Sequence, residues 1–304
     1  MIKFYHIKKE KSIYHLQKAC AHGKIIEKHV EARMIQKSFE FELSGHKIHL
    51  FAYLEEEGRD KDSVLIFPGG GYMHLSVDRE GDAIARAYFE GGLNAFVLHY
   101  AVGNEYRYPS HLIDASFALG FLKSHAEEFG INPERIFTVG FSAGGHLSGS
   151  MAILHKDPEV LAALGMEKGD NKPCGSILAY PVVSAKVNTH GGSFAMLTGK
   201  SFNDISDEER QRLSLEANVD EDSAPVFIWH TSEDQAVPVI GSLKLAEAYY
   251  SIGRHVTLHV YPYGPHGIAL ANEATSSGNP DWIQPLAEGW VEDSIKWMKS
   301  LKSY

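Results

Sequence analysis

The sequence predicts an α/β protein: a three-layer α/β/α sandwich around a mostly parallel central sheet. Three observations predict it. Short continuous apolar runs recur along the chain, helical patterns alternate with those runs, and a stretch of strict alternation precedes the first of them. Continuous runs suit strands buried on both faces, and alternation with helices implies βαβ units.

Residues 1–34 are basic and polar, with Lys3, Lys8, Lys9, Lys11, Lys18, Lys24 and Lys28, and read as an extension lying on the main body. The domain is then expected to cover 35–304. Phe39, Phe41 and Leu43 alternate with Glu40 and Glu42, and Ile48, Leu50, Ala52 and Leu54 repeat the pattern after Ser44-Gly45-His46. Two such runs around a glycine-containing turn predict an antiparallel hairpin. The buried strands follow as Val64–Phe67, Ala95–Leu98, Ile136–Val139, Ser176–Tyr180, Val226–Trp229 and Val256–Tyr261. Helices are expected over Asp82–Glu90, Ser110–Phe129, His146–Leu154, Pro238–Ile252 and Trp282–Leu301. The second of these opens on Ser and stops at Gly130 with Asn132-Pro133 just beyond, the usual start and stop signals. Residues 184–224 break the rhythm. They are rich in Gly, Ser and Asn, and hold a capping box, Ser206-x-x-Glu209, that opens a short charged helix. An excursion of this length above strand ends reads as a lid-like insertion or pocket wall.

Composition narrows the partners. Lys+Arg 29 against Asp+Glu 39 gives a net charge of −10 over 304 residues, which leaves no basic stripe for nucleic acid. The two cysteines, Cys20 and Cys174, make no disulfide framework. No apolar run reaches the ~18 residues a membrane-spanning helix needs, and the N-terminus lacks an apolar signal core. A cytoplasmic protein acting on a small molecule, with a homodimer left open, is the resulting expectation.

The chemistry centres on Gly140-Phe141-Ser142-Ala143-Gly144, between a buried strand and a helix. In that context a serine sits on a sharp turn with its hydroxyl raised above the sheet, and a Cβ at Gly140 or Gly144 would collide with the neighbouring strand or helix. A hydroxyl needs a base to take its proton, and the base needs an acid to fix its tautomer. Two later loops, each leaving a strand, supply candidates in the order acid then base: Glu233 or Asp234, then His266. Residues alone leave the choice of acid open. His146, four residues after Ser142, is expected to pack beneath it, and His74, His99 and His230 near strand ends are expected around the pocket. Donors for a developing oxyanion are expected from the amide of Ala143 and from Pro68-Gly69-Gly70-Gly71-Tyr72, where consecutive glycines permit close approach and positive φ. Gly70 and Gly71 are the donors named there. Tyr72, Pro181 and Val237 are expected to line the pocket, with the Tyr72 ring walling the acyl side.

No cofactor or metal is expected. Thr198-Gly199-Lys200-Ser201 lacks the earlier glycine of a phosphate-binding loop, since Phe194 stands there. His255 and His259, four apart on a strand, are too distant to share a metal at about 3.3 Å per residue.

These pieces together resemble the α/β-hydrolase superfamily, in particular the bacterial esterase/lipase group that includes acetyl xylan esterase-like carbohydrate-ester hydrolases. The resemblance is carried by Pro68-Gly69-Gly70-Gly71-Tyr72, by Tyr108-Pro109 with Asp114, and by Gly140-Phe141-Ser142-Ala143-Gly144-Gly145-His146-Leu147. Trp229-His230-Thr231 through Asp234-x-x-Val237-Pro238 and Tyr261-Pro262-x-Gly264-x-His266-Gly267 complete it. It covers the chain from Val64 onward. It implies a Ser142–Asp234–His266 triad, since the acid stands four residues before the proline, and a serine carboxylesterase working through an acyl-enzyme on short acyl esters of small or carbohydrate alcohols. Pro68 stands where many lipases of the superfamily carry His, which argues against close kinship with the hormone-sensitive-lipase type. The same triad order would serve a serine peptidase of the prolyl-oligopeptidase type, and a hydrolase fold can also act as a non-catalytic binding protein. The short stretch before the first core strand and the presence of all three triad members speak against these two.

Overall fold

Alternation along β-strands decides which layer each residue feeds, and the central strands show it directly. The computed structural model describes residues 5–16, 30–186 and 189–301. Among these residues nine strands form one sheet: β1 (Tyr5–Leu16), β2 (Val30–Leu43), β3 (His46–Glu55), β4 (Lys61–Phe67), β5 (Asn94–His99), β6 (Ile131–Phe141), β7 (Gly175–Ala179), β8 (Val226–Thr231) and β9 (Val256–Tyr261). Ten α-helices accompany them among the described residues: α1 (Val77–Glu80), α2 (Asp82–Glu90), α3 (Ser110–Ser124), α4 (Ala126–Phe129), α5 (Ala143–Ile153), α6 (Pro158–Leu164), α7 (Gly191–Thr198), α8 (Asp207–Leu213), α9 (Ile240–Ser251) and α10 (Trp290–Ser300).

The sheet order is β1-β2-β3-β5-β4-β6-β7-β8-β9. Pairings are antiparallel as far as β3–β5 and parallel from β5–β4 to β8–β9. On β4, Leu65 and Phe67 join one core with Leu112, Ala115 and Leu119 of α3. Val64 and Ile66 point the other way, into a core with Ile84, Ala85 and Tyr88 of α2 and Trp290 and Ile295 of α10. Helices therefore cover both faces, as continuous apolar strands demand. The expected α/β/α sandwich is the observed fold.

The hairpin is also as expected. Leu43 pairs with His46, and Ser44 and Gly45 have φ of 51° and 84°, the two left-handed residues of a tight hairpin turn. Three readings change. Residues 1–34, read as an extension, contribute β1 and the start of β2 to the sheet, while 1–4 and 17–29 lie outside the described residues. The helix expected over Ser110–Phe129 breaks at His125 into α3 and α4. The last helix begins at Trp290, because Pro285 and Gly289 interrupt the pattern before it. Among the described residues no helix is long and apolar enough to cross a membrane.

The 184–224 segment is tied to the body rather than standing clear of it. Phe194, Leu197, Ile205 and Leu213 are buried in the α3-side core. The amide of Ala185 donates to Ser214 Oγ at 2.9 Å and that of Leu215 to the Val183 carbonyl at 3.1 Å. The capping box on α8 is present in both directions. Val187 and Asn188 fall outside the described residues.

Candidate active site

Three main chains meet where β6 gives way to α5. Ser142 is the joint, with φ 54° and ψ −116°, a conformation that a non-glycine residue holds only under constraint. The constraint is visible. The Ser142 amide donates to the Ala179 carbonyl at 3.0 Å, and its carbonyl accepts from the amides of His146 at 3.1 Å and Val182 at 3.0 Å. A Cβ built on Gly140 would lie 1.9 Å from the Gly144 carbonyl oxygen, and one on Gly144 would lie 2.1 Å from that of Phe67. Main chain is the obstacle in both cases, so nothing can swing aside. Gly144→Ala is accordingly expected to cost at least the roughly 1–3 kcal/mol typical of overpacking, seen as a lowered unfolding midpoint in denaturant together with lost labelling of Ser142.

Above this joint Ser142 Oγ lies 2.8 Å from His266 Nε2, and His266 Nδ1 lies 2.6 Å from Asp234 Oδ2. An ionised carboxylate only accepts, so Nδ1 carries the ring proton and Nε2 is free to accept from the serine hydroxyl. The structure thus brings together all three residues that the sequence set in order. Burial works against the charge on Asp234. Hydrogen bonds from His230 and His266 outweigh it, and with the nearby His266 charge and the Val237 amide they hold the carboxyl well below the usual carboxylate range. Oδ1 accepts from the amides of Ala236 at 3.0 Å and Val237 at 2.8 Å. Glu233 is exposed and reaches only the Gly264 amide, at 3.2 Å.

The remaining histidines separate cleanly. His146 is spent structurally: Nε2 donates to the Leu213 carbonyl and Nδ1 accepts from the Tyr72 hydroxyl, both at 2.8 Å. Burial lowers its pKa to about 4, so it stays neutral. His230, expected near the pocket, is fully buried behind Asp234. Its Nε2–H is shared between the Val237 carbonyl at 2.8 Å and Asp234 Oδ2 at 3.2 Å, while Nδ1 accepts from Ser242 Oγ.

The glycine loop lies against Ser142. A Cβ on Gly69 would fall 3.0 Å from the serine Cβ, and Gly70 and Gly71 hold φ of 124° and 67°. The amides of Gly70, Gly71 and Ala143 have no acceptor among the described residues. Two of these donors flank the turn from the loop side, and the third opens α5.

The expected pocket wall is different. Tyr72 has φ 63°, which turns its ring inward beneath the loop, and 1% of it is exposed. The ring packs edge-on to His111 and Tyr100, so it supports the glycine loop and lines nothing. Pro181 and Val237 are buried as well. Pro181 packs against Gly145, and Val237 serves the acid through its backbone. Two residues that the sequence reading passed over lie closer. The His190 ring, in the 184–224 segment, comes within 3.7 Å of a Cβ built on Gly71, and its Nδ1 accepts from the Ser193 amide at 3.3 Å. Glu80, at the end of α1, is 3% exposed and accepts from the Gly69 amide at 2.7 Å and the Tyr180 hydroxyl at 2.8 Å. A histidine in a glycine-rich loop and a glutamate in Asp78-Arg79-Glu80-Gly81-Asp82 both read as solvated polar positions, so neither carried a signal.

Comparison with known proteins places the chain. The chain is 35% identical over 252 residues to an endo-1,4-beta-xylanase B of Butyrivibrio fibrisolvens, covering 80% of this chain and 38% of that protein. It is 26% identical to an acetylxylan esterase of Xylanibacter ruminicola, covering 87% of this chain and 51% of that one. The chain thus spans about half or less of the length of these two relatives. Among solved structures, an acetyl ester-xyloside bifunctional hydrolase from Caldicellulosiruptor lactoaceticus superposes with TM-score 0.70 at 30% identity, covering 84% of this chain and 88% of that one. A carboxylesterase from Lactobacillus plantarum WCFS1 gives 0.75 at 25% identity, covering 87% and 96%. The BD-FAE family model matches residues 50–249, well over half of the sequence, and the chain belongs to that family of α/β-hydrolases.

Proposed function

We propose that the protein is a serine carboxylesterase that cleaves short acyl esters, acetyl esters above all, of small or carbohydrate alcohols. The observation that carries this reading is the unbroken chain Ser142–His266–Asp234 beside three amides that have no acceptor among the described residues. The relatives named for ester and acetylxylan hydrolysis support the substrate class. Ser142 Oγ attacks the ester carbonyl carbon while His266 Nε2 takes its proton, and Asp234 stabilises the imidazolium. The carbonyl oxygen, now negative, is met by the amides of Ala143 and of Gly70 or Gly71. The imidazolium then protonates the departing alkoxide, leaving an acyl group on Ser142. Water repeats the sequence: His266 removes its proton, the acid leaves, and the serine recovers its hydrogen.

Stoichiometric labelling of Ser142 by a fluorophosphonate tests the nucleophile, and ester against amide substrates separates an esterase from a peptidase. Acyl length tests the substrate class. Each buried CH₂ favours binding by about 0.8 kcal/mol where there is room, but overfilling costs about 1–3 kcal/mol. The His190 ring borders the glycine loop, 3.7 Å from a Cβ built on Gly71, and a short acyl site is the reading that this neighbour supports. The highest kcat/KM is expected on acetyl or propionyl p-nitrophenyl esters, with a steep fall by octanoyl. A preference for octanoyl would contradict the short-acyl reading.

A further inference from the structure

A buried carboxylate costs free energy unless its oxygens are met by donors, and Glu80 is a carboxyl that the steps above do not use. It lies at the centre of a hydrogen-bond chain that crosses the site from one side to the other. The Gly69 amide donates to Oε2, the Tyr180 hydroxyl donates to Oε1, and the Tyr180 oxygen in turn accepts from the Ala269 amide at 3.1 Å. The Tyr180 ring stands edge-on to the His266 ring with centroids 5.0 Å apart. Arg79, beside Glu80 on α1, donates to the Gly267 carbonyl at 2.8 Å. One short helix therefore grips the glycine loop with one residue and the turn carrying His266 with two.

We propose that Glu80 is a positioning residue for this site. Its carboxylate locks the glycine loop to the His266 turn through Gly69 and Tyr180, and so fixes the Gly70 and Gly71 amides relative to His266 Nε2. The proposal deepens the esterase reading and rests on it.

The donor count explains why the residue is an acid. Two donors point at two different oxygens, and the Tyr180 oxygen is already an acceptor for Ala269, so its own proton must go to Glu80. An ionised carboxylate accepts at both oxygens and has no proton of its own to place. An amide satisfies one donor and opposes the other with its own N–H. Protonation has a similar effect. Burial raises the Glu80 pKa; the Tyr180 and Gly69 hydrogen bonds and the charges of His266 and Arg79 oppose it only in part. Those two charges, with the hydroxyls of Tyr180 and Tyr100, are the titratable groups that face it. Acidification should therefore release the loop before it protonates Asp234.

The test compares Glu80→Gln with the parent and with Glu80→Asp, all normalised by fluorophosphonate titration of Ser142. Glu80→Gln is expected to lower kcat on p-nitrophenyl acetate by about 10- to 100-fold with KM nearly unchanged, as misplaced oxyanion donors do. The Ki of a trifluoromethyl ketone, whose serine adduct carries the oxyanion, should rise in parallel with the loss in kcat/KM. Glu80→Asp should recover part of the loss, and the Gln variant should lose the part of the acid limb of kcat that Glu80 contributes. A folded Glu80→Gln variant with parental kcat and Ki overturns the inference. If Glu80→Gln fails to fold, Tyr180→Phe, which cuts the chain by removing one oxygen, decides by the same two readouts. Turnover retained in Ser142→Ala would instead sink the esterase reading itself, which keeps the two failures apart.

Discussion

Ser142→Ala is expected to lose ester turnover by about 10⁴-fold or more, with a melting temperature close to the parent's. The expectation follows from what the hydroxyl does. It makes one hydrogen bond, to His266, and only 9% of the residue is exposed, so its removal leaves a small gap at the site and no unpaired charge. The strained backbone at φ 54° is kept, because alanine bears the same Cβ. Hydrolysis of p-nitrophenyl acetate beside a thermal melt measures both quantities. Activity within an order of magnitude of the parent would remove Ser142 from the mechanism.

The second large effect is expected at the acid. In Asp234→Asn, an amide nitrogen meets ring N–H groups from two directions, His266 Nδ1 and His230 Nε2. The side chain has one oxygen to offer, and the Ala236 and Val237 amides also require an acceptor. His266 is then driven toward its other tautomer, in which Nε2 bears the proton and cannot accept one from Ser142. Loss of kcat by about 10⁴-fold is the expected outcome, with His266→Ala at least as damaging. Glu233→Gln should change kcat little, and a larger loss there than at Asp234 would move the acid to Glu233. Stability carries a matching signature. The Asp234 pKa is depressed in the fold, so its charged form stabilises the protein above the unfolded value of about 3.9. That contribution is lost as pH falls through the lower folded value. Asp234→Asn should therefore flatten the acid side of a stability-against-pH curve measured by denaturant unfolding.

The residues that reveal themselves in the sequence are those whose demands are local. Ser44-Gly45 announces a turn because left-handed φ suits glycine. The apolar run ending at Phe67 announces a strand buried on both faces, and Gly140 and Gly144 announce backbone in contact with backbone. Positions decided by distant neighbours stay hidden. Glu80 looks like surface until the fold brings it Gly69 and, a hundred positions on, Tyr180. Tyr72 follows Gly69-Gly70-Gly71 and so resembles a pocket wall, but a positive φ sends its ring under the loop to His146. The first strand was masked by its lysines, a composition that suits the edge of a sheet and equally suits a solvated extension. Trp282 resembled the start of the last helix because its apolar spacing fits, although Pro285 carries the stronger instruction.

The contacts of Gly69, Gly140 and Gly144 have a consequence for how such an enzyme can diversify. The nearest contacts of Gly140 and Gly144 are all to main chain, while Gly69 meets the Phe141 carbonyl, the Glu80 carboxylate and Ser142, so the Ser142 turn is set largely by backbone against backbone. Residues of the segment between β7 and β8 that stay out of the core, His190 among them, can then be exchanged or recharged while the Ser142 turn keeps its place. The surface of that segment and the placement of the serine become separately heritable properties.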